Sequence, residues 1–296
     1  MPHYPVWLRR SFSPDGVARQ VRTLLSGLDL VTVCESARCP NLPECHSQRQ
    51  LTFMILGDRC TRRCRFCAVD HGRPPAVRPD EPQRLAEAAQ RLGLRHIVIT
   101  SVARDDLQDE GAGHFVAVIH AVRALNPEST VEVLVPDFHA REALLERVLS
   151  DGRPDVFAHN VETTEGLSGL LRPQADYHRS LRVLRFAAAH GSGSLVKSSL
   201  MVGLGETEAE LLATLRDLRE AGVTHLTLGQ YLRPEASSLP VMDYVSPQRF
   251  RHYEALAYRL GFAWVKAGPF VRSSYHAVDA LQPAAALPAG AFGGAS

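Results

Sequence analysis

Six cysteines lie between Cys34 and Cys67 of a 296-residue chain, and none occurs elsewhere in it. A disulfide framework spreads its half-cystines to staple distant loops, and a reducing compartment would undo it. Six thiols crowded into one short window point instead to metal. The rest of the composition is ordinary for a soluble globular protein, with 45% hydrophobic and 22% charged residues. Lys+Arg at 33 against Asp+Glu at 32 gives a formal charge of +1, which leaves no basic excess for general binding to nucleic acid or a membrane surface. No apolar run reaches the roughly 18 residues of a membrane span. MPHYPVWLRR at the start lacks the apolar core of a signal peptide, so the chain is expected in the cytoplasm.

Beyond the cysteine region, apolar runs alternate with amphipathic stretches. The runs Leu51–Gly57, His96–Val102, Thr130–Pro136, Val156–Glu162, Leu195–Gly203 and His225–Tyr231 predict parallel strands buried on both faces. Apolar residues at helical spacing predict helices over Glu81–Leu92, Ala112–Leu125, Arg141–Leu149, His178–Ala189, Thr207–Ala221 and Pro247–Leu260, the last capped by Ser246. Such βα units predict a mostly parallel α/β fold, a partial (β/α)6 barrel of the TIM type that stops short of eight-fold closure. An open sheet would read the same. In either case the site belongs at the C-terminal ends of the strands, where Thr100-Ser101, Asn160-Val161-Glu162 and Gln230-Tyr231 cluster. The chain then divides into a cysteine-rich N-terminal extension (1–50), the barrel (51–262), a C-terminal extension (263–280) and an Ala/Gly/Pro-rich tail (281–296) expected to be disordered.

The second cysteine triplet, Cys60-x3-Cys64-x2-Cys67, occupies the loop after the first predicted strand. Three thiolates on so short a loop can hold three irons of a [4Fe–4S] cubane and leave the fourth open to a small molecule. Zinc is the competing reading, but it asks for a second tight pair that this spacing lacks. The first triplet, Cys34-x4-Cys39-x5-Cys45, fits on spacing alone a second cluster, a zinc knuckle or free thiols. Its proximity to the other triplet favours a cluster, for about eight irons in all.

A CxxxCxxC loop after the first strand of a parallel α/β chain resembles the radical S-adenosylmethionine superfamily. Residues 31–73, VTVCESARCPNLPECHSQRQLTFMILGDRCTRRCRFCAVDHGR, are similar to the signature of the lipoyl synthase family within it, and the similarity continues through HIVITSVARDDLQDEGA, HNVET, LMVGLGET, LTLGQYLRP and GPFVRSSYHA. The resemblance implies insertion of two sulfurs at C6 and C8 of a protein-bound octanoyl-lysine. Two S-adenosylmethionines would be spent per product, with the sulfur drawn from an auxiliary [4Fe–4S] cluster. Those carbons carry no acidic proton or leaving group, so hydrogen-atom abstraction fits where acid–base or nucleophilic chemistry does not.

The resemblance also assigns roles by position. Cys60, Cys64 and Cys67 would hold the radical-generating cluster. Cys34, Cys39 and Cys45 would hold the sulfur-donating one, with Ser274 of Arg272-Ser273-Ser274-Tyr275 on its fourth iron. Phe66 matches an aromatic near the adenine, and Ser101, Asn160, Glu162 and Lys197 match polar positions around S-adenosylmethionine. Lys197 is one of only two lysines among 33 basic residues. The implied partners are an octanoylated lipoyl carrier (glycine cleavage H protein or 2-oxoacid dehydrogenase E2), a reductant such as ferredoxin or flavodoxin, and an iron–sulfur carrier protein. No nucleic acid or membrane is expected, and the chain is read as a monomer. Arg59, Arg62, Arg63 and Arg65 around the cluster loop would offset cluster charge or dock an acidic carrier. Arg104, Asp105 and Asp106 would bind substrate or lock a loop. Departures from the family pattern fall at Pro43, His46–Leu51, Ser199 and Lys266-Ala267. Rival readings are another two-cluster radical enzyme, or an electron carrier or zinc module without catalysis.

Overall fold

The computed structural model describes residues 4–9, 15–191 and 193–281. Each predicted apolar run forms a strand at its centre: β2 (Thr52–Ile55), β3 (His96–Ser101), β4 (Thr130–Leu134), β5 (Val156–Ala158), β6 (Leu195–Val202) and β7 (His225–Gln230). Two short strands unforeseen in the sequence flank them, β1 (Val31–Thr32) and β8 (Trp264–Gly268). The eight strands lie in chain order, with β1 antiparallel to β2 and every later pair parallel. Among the described residues β8 does not pair back to β1, so the sheet curves as an open, partial barrel.

Helices cover its outer face for legible reasons. α4 (Glu81–Leu92) has Pro82 in its first turn and stops at Gly93 in the left-handed region. α5 (Ala112–Leu125) packs against it, burying Leu85, Phe115 and Ile119 over the sheet. α8 (Tyr177–His190) is capped by Asp176, α9 (Glu208–Glu220) by a Thr207–Glu210 capping box, and α10 (Pro247–Arg259) by Ser246. The helix expected over Arg141–Leu149 is regular only over Glu142–Glu146. It continues as a wider helical turn through Gly152 and ends at Arg153, whose φ is 53°. Before β2 stand a longer helix (Gly16–Gly27) and two short ones, Val33–Ser36 and Leu42–Ser47, which carry Cys34 and Cys45. The expected disordered tail, beyond Leu281, lies outside the described residues.

Candidate active site

The loop leaving β2 folds back on itself. Cys60 N–H donates to the Asp70 carbonyl at 2.8 Å, and Gly72 N–H to the Cys60 carbonyl at 2.9 Å. This turns peptide N–H groups onto sulfur: Arg62 and Ala103 donate to Cys60 Sγ at 3.4 and 3.3 Å, and Val69 to Cys67 Sγ at 3.4 Å. Such bonds stabilise thiolates and tune whatever they hold.

Of the four arginines expected to ring this loop, Arg62 points inward. It grips both Asp105 oxygens at 2.7–3.2 Å and reaches Asp137 at 2.8 Å, while Arg179 holds the other Asp137 oxygen at 2.8 Å. Burial alone would raise the Asp137 carboxyl, but Arg62 and Arg179 outweigh it and hold it down to about 2. Arg104 is buried too, bonded to Asp106 and to the Leu56 carbonyl. The RDD segment therefore locks the loops above β2 and β3.

The first triplet is met by the chain's C-terminal segment. The Asn41 side chain donates to the Phe270 carbonyl at 2.6 Å in a buried contact. Gly229 on β7 permits the approach, because a Cβ there would stand 2.1 Å from the Val271 carbonyl oxygen. Ser274 is thereby brought to β2, where Thr52 Oγ1 donates to its Oγ at 2.8 Å.

A cavity of about 690 Å³ joins the two regions and is lined by Cys34, Cys39, Cys60, Cys64, Cys67 and Ser274. Phe66, Ser101, Asn160 and Glu162 line it, together with Thr52, Met201, Gly229 and Tyr231. Ser101 Oγ and Asn160 Oδ1 are buried there without a hydrogen-bond partner, and Glu162 accepts only from Asn160, at 3.0 Å. Burial raises the Glu162 carboxyl, against the pull of Arg172. Orphaned polar atoms around a buried carboxyl suit a polar, cationic small molecule.

Lys197 is placed differently from the expectation. It shares a face of β6 with Ser199 and Met201, which line the cavity, but lies deeper and outside the lining. Its ammonium, 1% exposed, is bound by Glu132 at 2.8 and 3.1 Å, and Glu132 also meets His96. A buried charge needs a buried partner, and strand pairing from β4 supplies one inside the barrel.

The thiols fit iron–sulfur clusters. Burial, then neighbouring sulfurs, push Cys34 and Cys67 up to about 11 and Cys45 and Cys64 up to about 12. They bind as thiolates only where a strongly cationic centre displaces their protons. Within neither triplet do all three sulfurs close to within 4.8 Å of one another. A tetrahedral zinc with ~2.3 Å bonds holds its sulfurs about 3.8 Å apart, so the wider frame favours a cubane.

The radical SAM superfamily profile matches residues 54–228. A lipoyl synthase of Rubrobacter xylanophilus is 51% identical over 290 residues, 98% of this chain and 90% of that protein. The chain belongs to the lipoyl synthase family. A second lipoyl synthase, from Caldanaerobacter subterraneus, is 50% identical over 92% of this chain and 95% of its own length. The hydrogenase maturase HydG shares the fold at 15% identity, with a TM-score of 0.54 over 91% of this chain and 72% of its own. As a lipoyl synthase, the protein is a radical S-adenosylmethionine sulfurtransferase that uses two [4Fe–4S] clusters. It inserts two sulfur atoms, at C6 and C8 of a protein-bound octanoyl-lysine.

Sequence reasoning missed three contributors: Thr52, Gly229 and the Arg62–Asp137 pair. Gly229 had a visible signal as a glycine inside a strand, which marks close backbone approach. Thr52 had none, because a strand-opening threonine is commonplace.

Proposed function

We propose that the two sulfur insertions take place in the shared cavity, with Cys60, Cys64 and Cys67 holding the radical-generating cluster and Cys34, Cys39, Cys45 and Ser274 holding the sulfur donor. The observation that carries this is a single cavity lined by thiols of both triplets and by Ser274. When bound, the first cluster and S-adenosylmethionine supply the oxidising carbon radical that takes hydrogen from C6 and C8. The chain's own part is to bind, orient and keep dry. Ser101 and Asn160 offer unpaired polar atoms to the cofactor, Glu162 offers negative charge to its cationic part, and Phe66 offers a flat apolar face. Lys197 we assign to the floor of the site, where its pair with Glu132 fixes β4 against β6.

The substrate arrives as an octanoylated lipoyl domain, of the glycine cleavage H protein or 2-oxoacid dehydrogenase E2 kind. Arg59, Arg63 and Arg65 are exposed and, among the described residues, have no carboxylate partner, so they are suited to receive an acidic carrier face. A ferredoxin or flavodoxin supplies electrons, and an iron–sulfur carrier rebuilds the spent cluster. We assign the enzyme to the cytoplasm, where six thiols stay reduced; no helix of the described residues is long and apolar enough to cross a membrane. Among the described residues the exposed large apolar side chains, Val6 with Trp7, Leu170, Met242 and Val278, lie on four separate segments, which favours a monomer.

The test is anaerobic incubation of reconstituted, reduced protein with S-adenosylmethionine and an octanoyl-lysyl peptide. The expected products are 5′-deoxyadenosine and a peptide carrying two sulfurs. Cys34→Ala should give the former without the latter. Sulfur insertion by that variant, or zinc in place of iron in the purified protein, would overturn the assignment.

A further inference from the structure

We propose that Thr52 is the positioning residue for Ser274: its buried hydroxyl holds the serine oxygen in place beside the first triplet. The inference rests on the assignment of Ser274 as the fourth ligand. Thr52 opens β2 and is only 2% exposed, so water does not compete for its hydroxyl. Its side chain reaches across the site: Oγ1 bonds Ser274 Oγ at 2.8 Å, across 222 positions of sequence. Thr52, Ser274 and Cys34 line the same cavity. Among the described residues Ser273 receives no such bond, which distinguishes the two serines by geometry.

Between two hydroxyls either oxygen can donate, but a serine oxygen bound to iron only accepts, and Thr52 is then the donor. Serine is a hard, poor ligand for iron in a sulfide cluster. A hydrogen bond donated to its ionised oxygen is charge-assisted and about twice as strong as one to the neutral hydroxyl. Thr52 is well placed to donate because it is rigid. Its side chain is β-branched, with restricted rotation at χ1. Its backbone is held by parallel pairing with Val98, whereas Ser274 stands in an irregular segment after β8. The sheet therefore carries the donor, and the ligand stands on the irregular segment. When the serine leaves its iron, the same hydroxyl keeps the oxygen within reach for the next cluster.

The experiment compares full-length, reconstituted Thr52→Val, Thr52→Ala, Thr52→Ser and Ser274→Ala proteins. Iron release to a chelator is followed by absorbance, and the clusters are followed by electron paramagnetic resonance after mild oxidation. Loss of a charge-assisted bond predicts about ten-fold faster release of one iron per chain in the two hydroxyl-free variants, with a three-iron signal appearing on oxidation. Thr52→Ser should restore slow release. Ser274→Ala, which removes the ligand itself, should release that iron faster still. Slow release from Thr52→Val and Thr52→Ala alongside fast release from Ser274→Ala would overturn the role of Thr52 alone. Fast release from Thr52→Ser equal to that from Thr52→Val would overturn it as well, since packing and not the hydroxyl would be at work. Slow release from Ser274→Ala would overturn the ligand assignment on which the proposal stands.

Discussion

Replacing Arg62 by methionine keeps the length of the side chain and removes the guanidinium that anchors the radical-cluster loop. Arg62 is 7% exposed and Asp137 only 2%, so the charges removed and stranded are both buried. Breaking a buried pair on one side costs about 3–5 kcal/mol. Asp137 retains Arg179 at 2.8 Å and the His139 N–H at 3.1 Å, which puts the loss at the low end. The titration of Asp137 gives a second measure. Its carboxyl is held down to about 2 from 3.8, against burial, with Arg62 the largest favourable neighbour. At ~1.36 kcal/mol per unit this is about 2 kcal/mol of stability at neutral pH, shared among its partners. A loss of about 2–3 kcal/mol lowers the thermal midpoint by roughly 3–5 °C in a chain of this size.

The pH dependence has a definite sign. A depressed carboxyl contributes fully above its unfolded value and loses that contribution only as pH falls through its folded one. The gap between parent and Arg62→Met should therefore be the same at about pH 6 and pH 8. Because the Arg62 backbone also donates to Cys60, a loosened loop should lose the second-triplet cluster and keep the other, taking the iron content from about eight toward about four. Anaerobic calorimetry and iron and sulfide analysis measure both effects. A midpoint unchanged within error, with full iron, would refute the anchoring argument; equal loss of both clusters would refute its locality.

Lys197→Met should destabilise the protein by about 3–5 kcal/mol, because Glu132 is left charged in the barrel, and Lys197→Met/Glu132→Leu should recover most of that. Weak S-adenosylmethionine binding that persists in the double variant would instead return Lys197 to the cofactor. Burial holds the His159 imidazole down to about 4, so the folded state resists a proton that the unfolded state accepts below ~6.5. Stability should fall by about 1 kcal/mol from this group between about pH 7.5 and 5.5, and His159→Asn should remove that slope in anaerobic melts. Gly229→Ala should push the Val271 carbonyl aside and carry Ser274 off Thr52. Its expected result is 5′-deoxyadenosine formation without sulfur insertion, scored by mass spectrometry of the peptide product.

The parts of the site legible in the sequence are those whose signal is local. The Cys60, Cys64 and Cys67 loop announces itself by spacing, and the strands carrying Ser101 and Glu162 announce themselves by unbroken apolar runs. β1 stays hidden because it is only two residues long, and β8 because it lacks that run; β8 carries Lys266, whose ammonium leaves the sheet to meet Asp279 at 2.7 Å. Lys197 shows the opposite failure. Its strand was read correctly, yet a lysine on a barrel strand can face a ligand or a carboxylate two strands away. The approach of Glu132 favours the carboxylate. Ser274 is assigned through family resemblance alone, since nothing in an isolated Arg-Ser-Ser-Tyr speaks of iron.

The two cysteine triplets also differ in how firmly the fold commits to them. The second sits in one loop, closed by Cys60–Asp70 and Gly72–Cys60 backbone bonds and locked from outside by Arg62 and Arg104. The first we assign to two short helices before β2, tied to the sheet by β1–β2 pairing, and to a serine beyond β8 whose segment meets them and the barrel at Asn41, Thr52 and Gly229. Contacts between segments so remote in sequence can open locally at a cost well below global unfolding. A cluster that only supplies electrons gains from a rigid seat, whereas one that gives up its sulfur must be dismantled and replaced each cycle. Placing the donor where the segments before β2 and after β8 meet would let its ligands part without disturbing the strands that hold the radical chemistry.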